Sequence, residues 1–130
     1  MDKALNYIGL ARRGGYIEIG EQRAKALVKA GKARLMLVAS DTSDGAKRRA
    51  EGYVYGYPTP LVSIPYTKEE LSRASGTAGC SMAAFADAGL ALSFLRALET
   101  ERGEAHTEAA QALQQQLDRS RKSGNRRKSE

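Results

Sequence analysis

Leu35-Met36-Leu37-Val38-Ala39 runs directly into Ser40-Asp41-Thr42-Ser43-Asp44, and the reading of this stretch decides the fold. An unbroken apolar run of this length predicts a strand covered on both faces, because a sheet with one wet face alternates apolar and polar residues instead. The polar residues behind it are types that cap helices, so the strand feeds a helix, roughly 44 to 56, with Lys47, Arg48 and Arg49 outward. Pro58 and Pro60 then bracket the exit into Leu61-Val62-Ser63-Ile64, another strand.

The same alternation extends in both directions. Upstream, Ala4, Leu5, Ile8 and Ala11 recur at helical spacing until Gly14-Gly15 stops the helix. Tyr16-Ile17-Glu18-Ile19 is a short strand, and Gly20-Glu21 opens a second helix whose Ala24, Leu27 and Val28 share one face until Gly31. On this reading Leu27→Ala should cost about 2–5 kcal/mol. Downstream, Thr67-Lys68-Glu69-Glu70 resembles a capping box for a helix from Glu69 to Ala74, closed by Gly76. Cys80 to Ala86 is a final apolar strand, and Ala91, Phe94, Leu95 and Leu98 make the stripe of a fifth helix. Strands alternating with helices imply an α/β sandwich.

The chain has 130 residues, 42% hydrophobic and 28% charged, which suits one compact body. A lone cysteine forms no internal disulfide and matches no metal spacing, so a disulfide scaffold and a zinc finger are both excluded and a reducing cytoplasm is the expected location. No window approaches the run of about 20 apolar residues that spans a bilayer, so no membrane is expected as a partner. The net charge of +6 favours polyanionic partners and is distributed unevenly: +4 over residues 1–100, −3 over 101–118 and +5 over 119–130. The expected organisation is a folded domain at 1–100, a helical extension at 101–118 and a disordered basic tail at 119–130, which has no hydrophobic residue to offset its ordering. The apolar face of the extension is mostly alanine, so its docking should be weak.

Catalytic chemistry finds no support. His106 is the only histidine and is expected on the exposed C-terminal helix, so neither a triad nor a metal site has a second member. Cys80 has no histidine placed to activate it and reads as a small core residue. The glycines form neither a Walker pattern nor G-x-G-x-x-G. Tyr53, Tyr55 and Tyr57 end the third helix, where half-buried packing is the commoner use. What remains is the start of the second helix, where free amides and Arg23, Lys25, Lys29 and Lys32 suit phosphate as well as they suit a solvated basic face.

Several short stretches, in order, resemble one family: Ile8-Gly9-Leu10-Ala11-Arg12-Arg13-Gly14-Gly15, Ile19-Gly20-Glu21, Leu35 to Asp41, Leu71-Ser72-Arg73-Ala74-Ser75-Gly76 and Ala84-Phe85-Ala86-Asp87-Ala88-Gly89. It is that of the kink-turn-binding ribosomal proteins, relatives of large-subunit proteins seven-Ae and thirty-e, of which bacteria carry small stand-alone members. Residues 3 to 98 carry the likeness. The resemblance implies a three-layer α-β-α sandwich with a mixed four-stranded sheet, no enzymatic activity, no cofactor or metal, and binding of ribosomal or other structured RNA by a monomer associated with the ribosome. The alternative is an interaction module that keeps the fold and has lost specific RNA binding.

In that family the start of the second helix meets the sheared G·A pairs of a kinked RNA, and the loop after the fourth helix covers an extruded base. The corresponding RNA-binding residues here are Gly20, Glu21, Gln22, Arg23, Lys25 and Lys29, with Gly76, Thr77, Ala78 and Gly79 in the loop that ends at Cys80. The family's usual Asn, Glu and Lys become Gln22, Arg23 and Ala26, and its apolar loop residues become Thr77 and Gly79. With Ala24, Leu27 and Val28 inward, Gln22, Lys25 and Lys29 point opposite the core, and Arg23 and Ala26 flank them.

Overall fold

A computed structural model describes residues 2–129, with side chains through Ser120. The buried run becomes β2 (Leu35–Val38), all four residues buried, and it lies between β4 (Met82–Phe85) and β3 (Leu61–Ser63). With β1 (Ile17–Ile19) the sheet has the order β1-β4-β2-β3. β4 is antiparallel to both neighbours, with Leu35 opposite Phe85 and Ile17 opposite the same Phe85, while β2 and β3 run parallel with Met36 beside Leu61. The sheet is therefore mixed, as expected.

Side-chain alternation splits the core in two. Ile17, Ile19, Leu35, Leu37, Ala83 and Phe85 face one layer, built by α1 (Lys3–Gly14), α4 (Lys68–Ser75) and α5 (Ala88–Arg102). Met36, Val38, Met82 and Ala84 face the other, built by α2 (Glu21–Lys29) and α3 (Asp44–Val54). Phe85 and Phe94 meet at 5.5 Å with tilted rings, a geometry that suits aromatic quadrupoles. Local chemistry starts three of the helices: Ser43 caps α3, Thr67 and Glu70 form the full capping box of α4, and Asp87 accepts from the Leu90 amide to begin α5.

The start of α1 is capped from far away. The Glu101 carboxylate accepts from the Lys3 and Ala4 amides at 2.9 and 3.1 Å, and Asp2 receives Arg102 Nε at 2.7 Å and the Tyr66 hydroxyl at 2.9 Å. Asp2 caps nothing itself; its carboxylate is committed to tying the N-terminus to the end of α5.

Three details depart from the sequence reading. Leu27 is half-buried beside the α2–α3 core and is not inside it, so its truncation should cost about 1–2 kcal/mol in place of the larger figure. α6 (Thr107–Ser129) docks firmly on the first core layer, because Leu113 is fully buried and Ala109 nearly so, with Leu117 packed alongside. An i, i+4 leucine pair on an alanine face supplies the anchoring that alanine alone would not. α6 is also helical to Ser129, across the Arg119 boundary where a disordered tail was expected; the side chains of that segment beyond Ser120 lie outside the described residues.

Candidate functional site

α2 begins at Gly20, whose φ of 108° only glycine adopts without strain and which has no side chain to cap the helix. Its amide donates to the Met82 carbonyl at 2.8 Å and its carbonyl accepts from Ala24 at 2.9 Å. The amides of Glu21, Gln22 and Arg23 precede the first intrahelical bond and point outward along a positive helix dipole. Glu21 would oppose an anion there, but its carboxylate is turned onto α3. It accepts from Arg49 Nε at 2.7 Å and Nη2 at 3.1 Å, and from the Tyr53 hydroxyl at 2.5 Å. Arg49's bonds, then that of Tyr53, hold the Glu21 carboxyl below the usual carboxylate range, and the bond to Glu21 raises the Tyr53 phenol.

Arg23 leaves the opposite flank of α2. It is well exposed and only loosely paired with Glu18, at 3.8 Å. Together with Arg12, Gly15, Ile17, Ile19 and Thr77 these two residues line a concavity of about 230 Å³. Thr77 thus reaches the α2 flank from a loop more than fifty positions away in sequence. The loop is held from beneath: the Thr77 amide donates to the Ser72 carbonyl at 3.2 Å, and the buried Cys80 thiol contacts the Thr77 carbonyl at 3.4 Å. Gly76 and Gly79 turn it with φ of 74° and 72°. Ala78 and Gly79 stay exposed at its tip, offering little surface to cover a base.

Next to this concavity lies a second, shallower hollow of about 380 Å³ lined by Glu18, Arg23, Ala26, Leu27, Ala30 and Lys32. Ala26 is exposed at its floor, as the helical wheel predicts. Lys25 and Lys29 are on the other side of α2: their ammonium groups sit 5.2 Å from the Tyr53 ring and 4.9 Å from the Tyr57 ring. The expected site residues therefore divide. Arg23 and Thr77 line the concavity, Glu21, Lys25 and Lys29 are drawn toward α3, and Gly20 and Gln22 at the start of α2 and Gly76, Ala78 and Gly79 in the loop are not among the residues that line it. Two residues not assigned from sequence, Arg12 and Glu18, complete the flank. Arg12 was visible only as part of a motif, and the pairing of Glu18 with Arg23 needs the turn at Gly20.

Other candidates dissolve. Cys80 is in the core, as its apolar surroundings imply. His106 is not on an exposed helix but half-buried in the link before α6, with Nε2 3.5 Å from Glu104. Among the described residues no group of histidine, cysteine and carboxylates could hold a metal ion, and no helix is long and apolar enough to cross a membrane.

No family model matches the chain. RNA-binding protein YlxQ of Enterococcus faecium is 31% identical over 74 residues, a stretch that takes in 57% of this chain and 71% of that relative. The chain belongs to the YlxQ family. Among solved structures, a Bacillus halodurans protein of unknown function superimposes on this YlxQ-family chain with a TM-score of 0.69, covering 76% of it and 99% of its own length at 23% identity. The Giardia lamblia 15.5 kD RNA-binding protein gives 0.59, with 76% and 84% covered at 21% identity. These two likenesses concern the fold, which is that of the seven-Ae-like proteins.

Proposed function

We propose that the chain binds structured RNA, with the phosphate backbone entering the flank formed by Arg12, Arg23, Thr77 and the open amides at the start of α2. The observation that carries this is the shared concavity of Arg23 and Thr77, the two segments that the family resemblance assigns to RNA. The YlxQ relative, an RNA-binding protein by name, supports the same partner. Exposed guanidiniums and free amides bind phosphate well without reading sequence, and the small Thr77-Gly79 surface is poorly built to cover an unpaired base. The RNA is of the kinked, G·A-paired kind, ribosomal or otherwise structured, and is recognised chiefly through its shape and backbone.

Arg23→Glu tests this. It reverses a charge at a position 73% exposed, so the fold and melting temperature should be unchanged while affinity for a kink-turn duplex drops at least tenfold. Unchanged affinity in the folded variant would leave the chain as an interaction module that keeps the fold without the RNA.

A further inference from the structure

Tyr55 is 85% exposed, the barest large hydrophobic side chain among the described residues, and it ends α3 next to a turn that only Gly56, at φ 82°, allows. Its ring has no packing role that would explain a tyrosine. The two tyrosines on either side of it are occupied differently. Tyr53 and Tyr57 are half-buried and each carries a lysine ammonium over its ring, Lys25 and Lys29 respectively. Lys29 Nζ also donates to the Tyr53 carbonyl at 3.2 Å. Lys29 is thus held by a ring and a hydrogen bond and Lys25 by a ring, and because an ammonium has three donors each keeps N–H groups for an anion. Arg48 is also exposed on α3 and adds to the positive charge of that helix.

We infer that this α2–α3 face is a second RNA surface, on which an unpaired base stacks on Tyr55 while its neighbouring phosphates meet Lys25 and Lys29. Tyr55 follows by two residues the Tyr53 carbonyl that Lys29 holds, and a free aromatic ring within reach of such cations is the combination that holds single strands without reading their sequence. A protein partner would need further exposed apolar area beside the ring, and the other large hydrophobic side chains exposed among the described residues, Leu10 and Tyr16, lie outside α2 and α3. The inference rests on the proposed RNA binding, and it is geometrically separate from it. Arg23 and Thr77 line one flank of α2, Lys25 and Lys29 the other, so one RNA could lay its structured part on the first flank and an unpaired extension across the helix on the second.

The experiment uses the full chain and three probes: a kink-turn duplex, the same duplex with a six-nucleotide unpaired extension, and that hexanucleotide alone. The chain has six tyrosines and no tryptophan, so tyrosine emission reports stacking directly. The extension should tighten binding about tenfold, the scale of one stacked base, and the hexanucleotide alone should quench the emission. Tyr55→Ala should abolish both effects and leave the plain duplex bound as before, Tyr55→Phe should retain the gain in affinity, and Lys29→Ala should reduce it. An equal gain in Tyr55→Ala, or no gain and no quenching in the unmodified chain, overturns the inference. In either case the plain duplex and its sensitivity to Arg23→Glu still judge the first site by itself.

Discussion

Ala26 stands at the floor of a hollow shared with Arg23 and Lys32, where the family resemblance places a lysine. A lysine there needs no core rearrangement, since Ala26 is exposed, and its ammonium would add a charge-assisted donor beside Arg23. Ala26→Lys is expected to raise affinity for a kink-turn duplex several-fold more than for an unkinked duplex. Lys25→Ala removes a cation from the far flank, which the duplex does not occupy, and should leave the ratio of the two affinities unchanged. Titrations of both RNAs at two salt concentrations separate the cases, because added charge alone strengthens every complex. An equal gain on both RNAs with Ala26→Lys would mean that the flank is basic and nothing more.

Individual elements differ in how plainly their sequence announces them. β2 was legible because four consecutive apolar residues admit few other readings, and the α4 capping box because Thr67 and Glu70 carry its chemistry in their identities. The docking of α6 was not legible: whether Leu113 finds a surface depends on the slot beside α5, which no local pattern encodes. The site was half legible. Residues at the start of α2 follow from helix position alone, but Glu21, Lys25 and Lys29 are pulled to α3 by Arg49, Tyr53 and Tyr57, partners set by tertiary packing. The tie between Asp2, Tyr66 and Arg102 is of the same long-range kind and has a pH signature. Arg102's hydrogen bond, then that of Tyr66, holds the Asp2 carboxyl below its ordinary value. A depressed folded-state pKa stabilises above the unfolded value, about 3.9, and the contribution is lost as pH falls through the folded value. Asp2→Asn should therefore lower the melting temperature at pH 7, and the gap to the unmodified chain should narrow as the pH falls below the unfolded value, about 3.9. A gap independent of pH would mean that the carboxylate's charge contributes nothing.

At the scale of the whole molecule, charge and fold are separable. Residues 119–130 hold six basic residues and one acidic, so truncation after Asp118 takes the net charge from +6 to +1 while keeping Ala109, Leu113 and Leu117, which anchor α6 to the body. Every phosphate that the tail no longer neutralises should reduce the slope of log affinity against log salt by about 0.7–0.9. The truncated chain should thus bind RNA with a flatter salt dependence and melt at nearly the same temperature. A fall of several degrees would show that the tail packs against the body.

The place of β4 in the sheet sets the order in which the protein can be made. β1 pairs with β4 alone among the described strands, and β4 also separates β1 from the β2–β3 pair. Ile19 leaves the ribosome 63 residues before Met82, a wait of roughly 3–13 s at ordinary rates of synthesis. During that interval Ile17, Ile19 and one side of β2 have no neighbouring strand to cover them, so the nascent chain carries open strand edges that attract chaperones or other chains. A stop codon before residue 82 therefore yields no smaller sheet, because the strand that joins its two halves is the last to arrive.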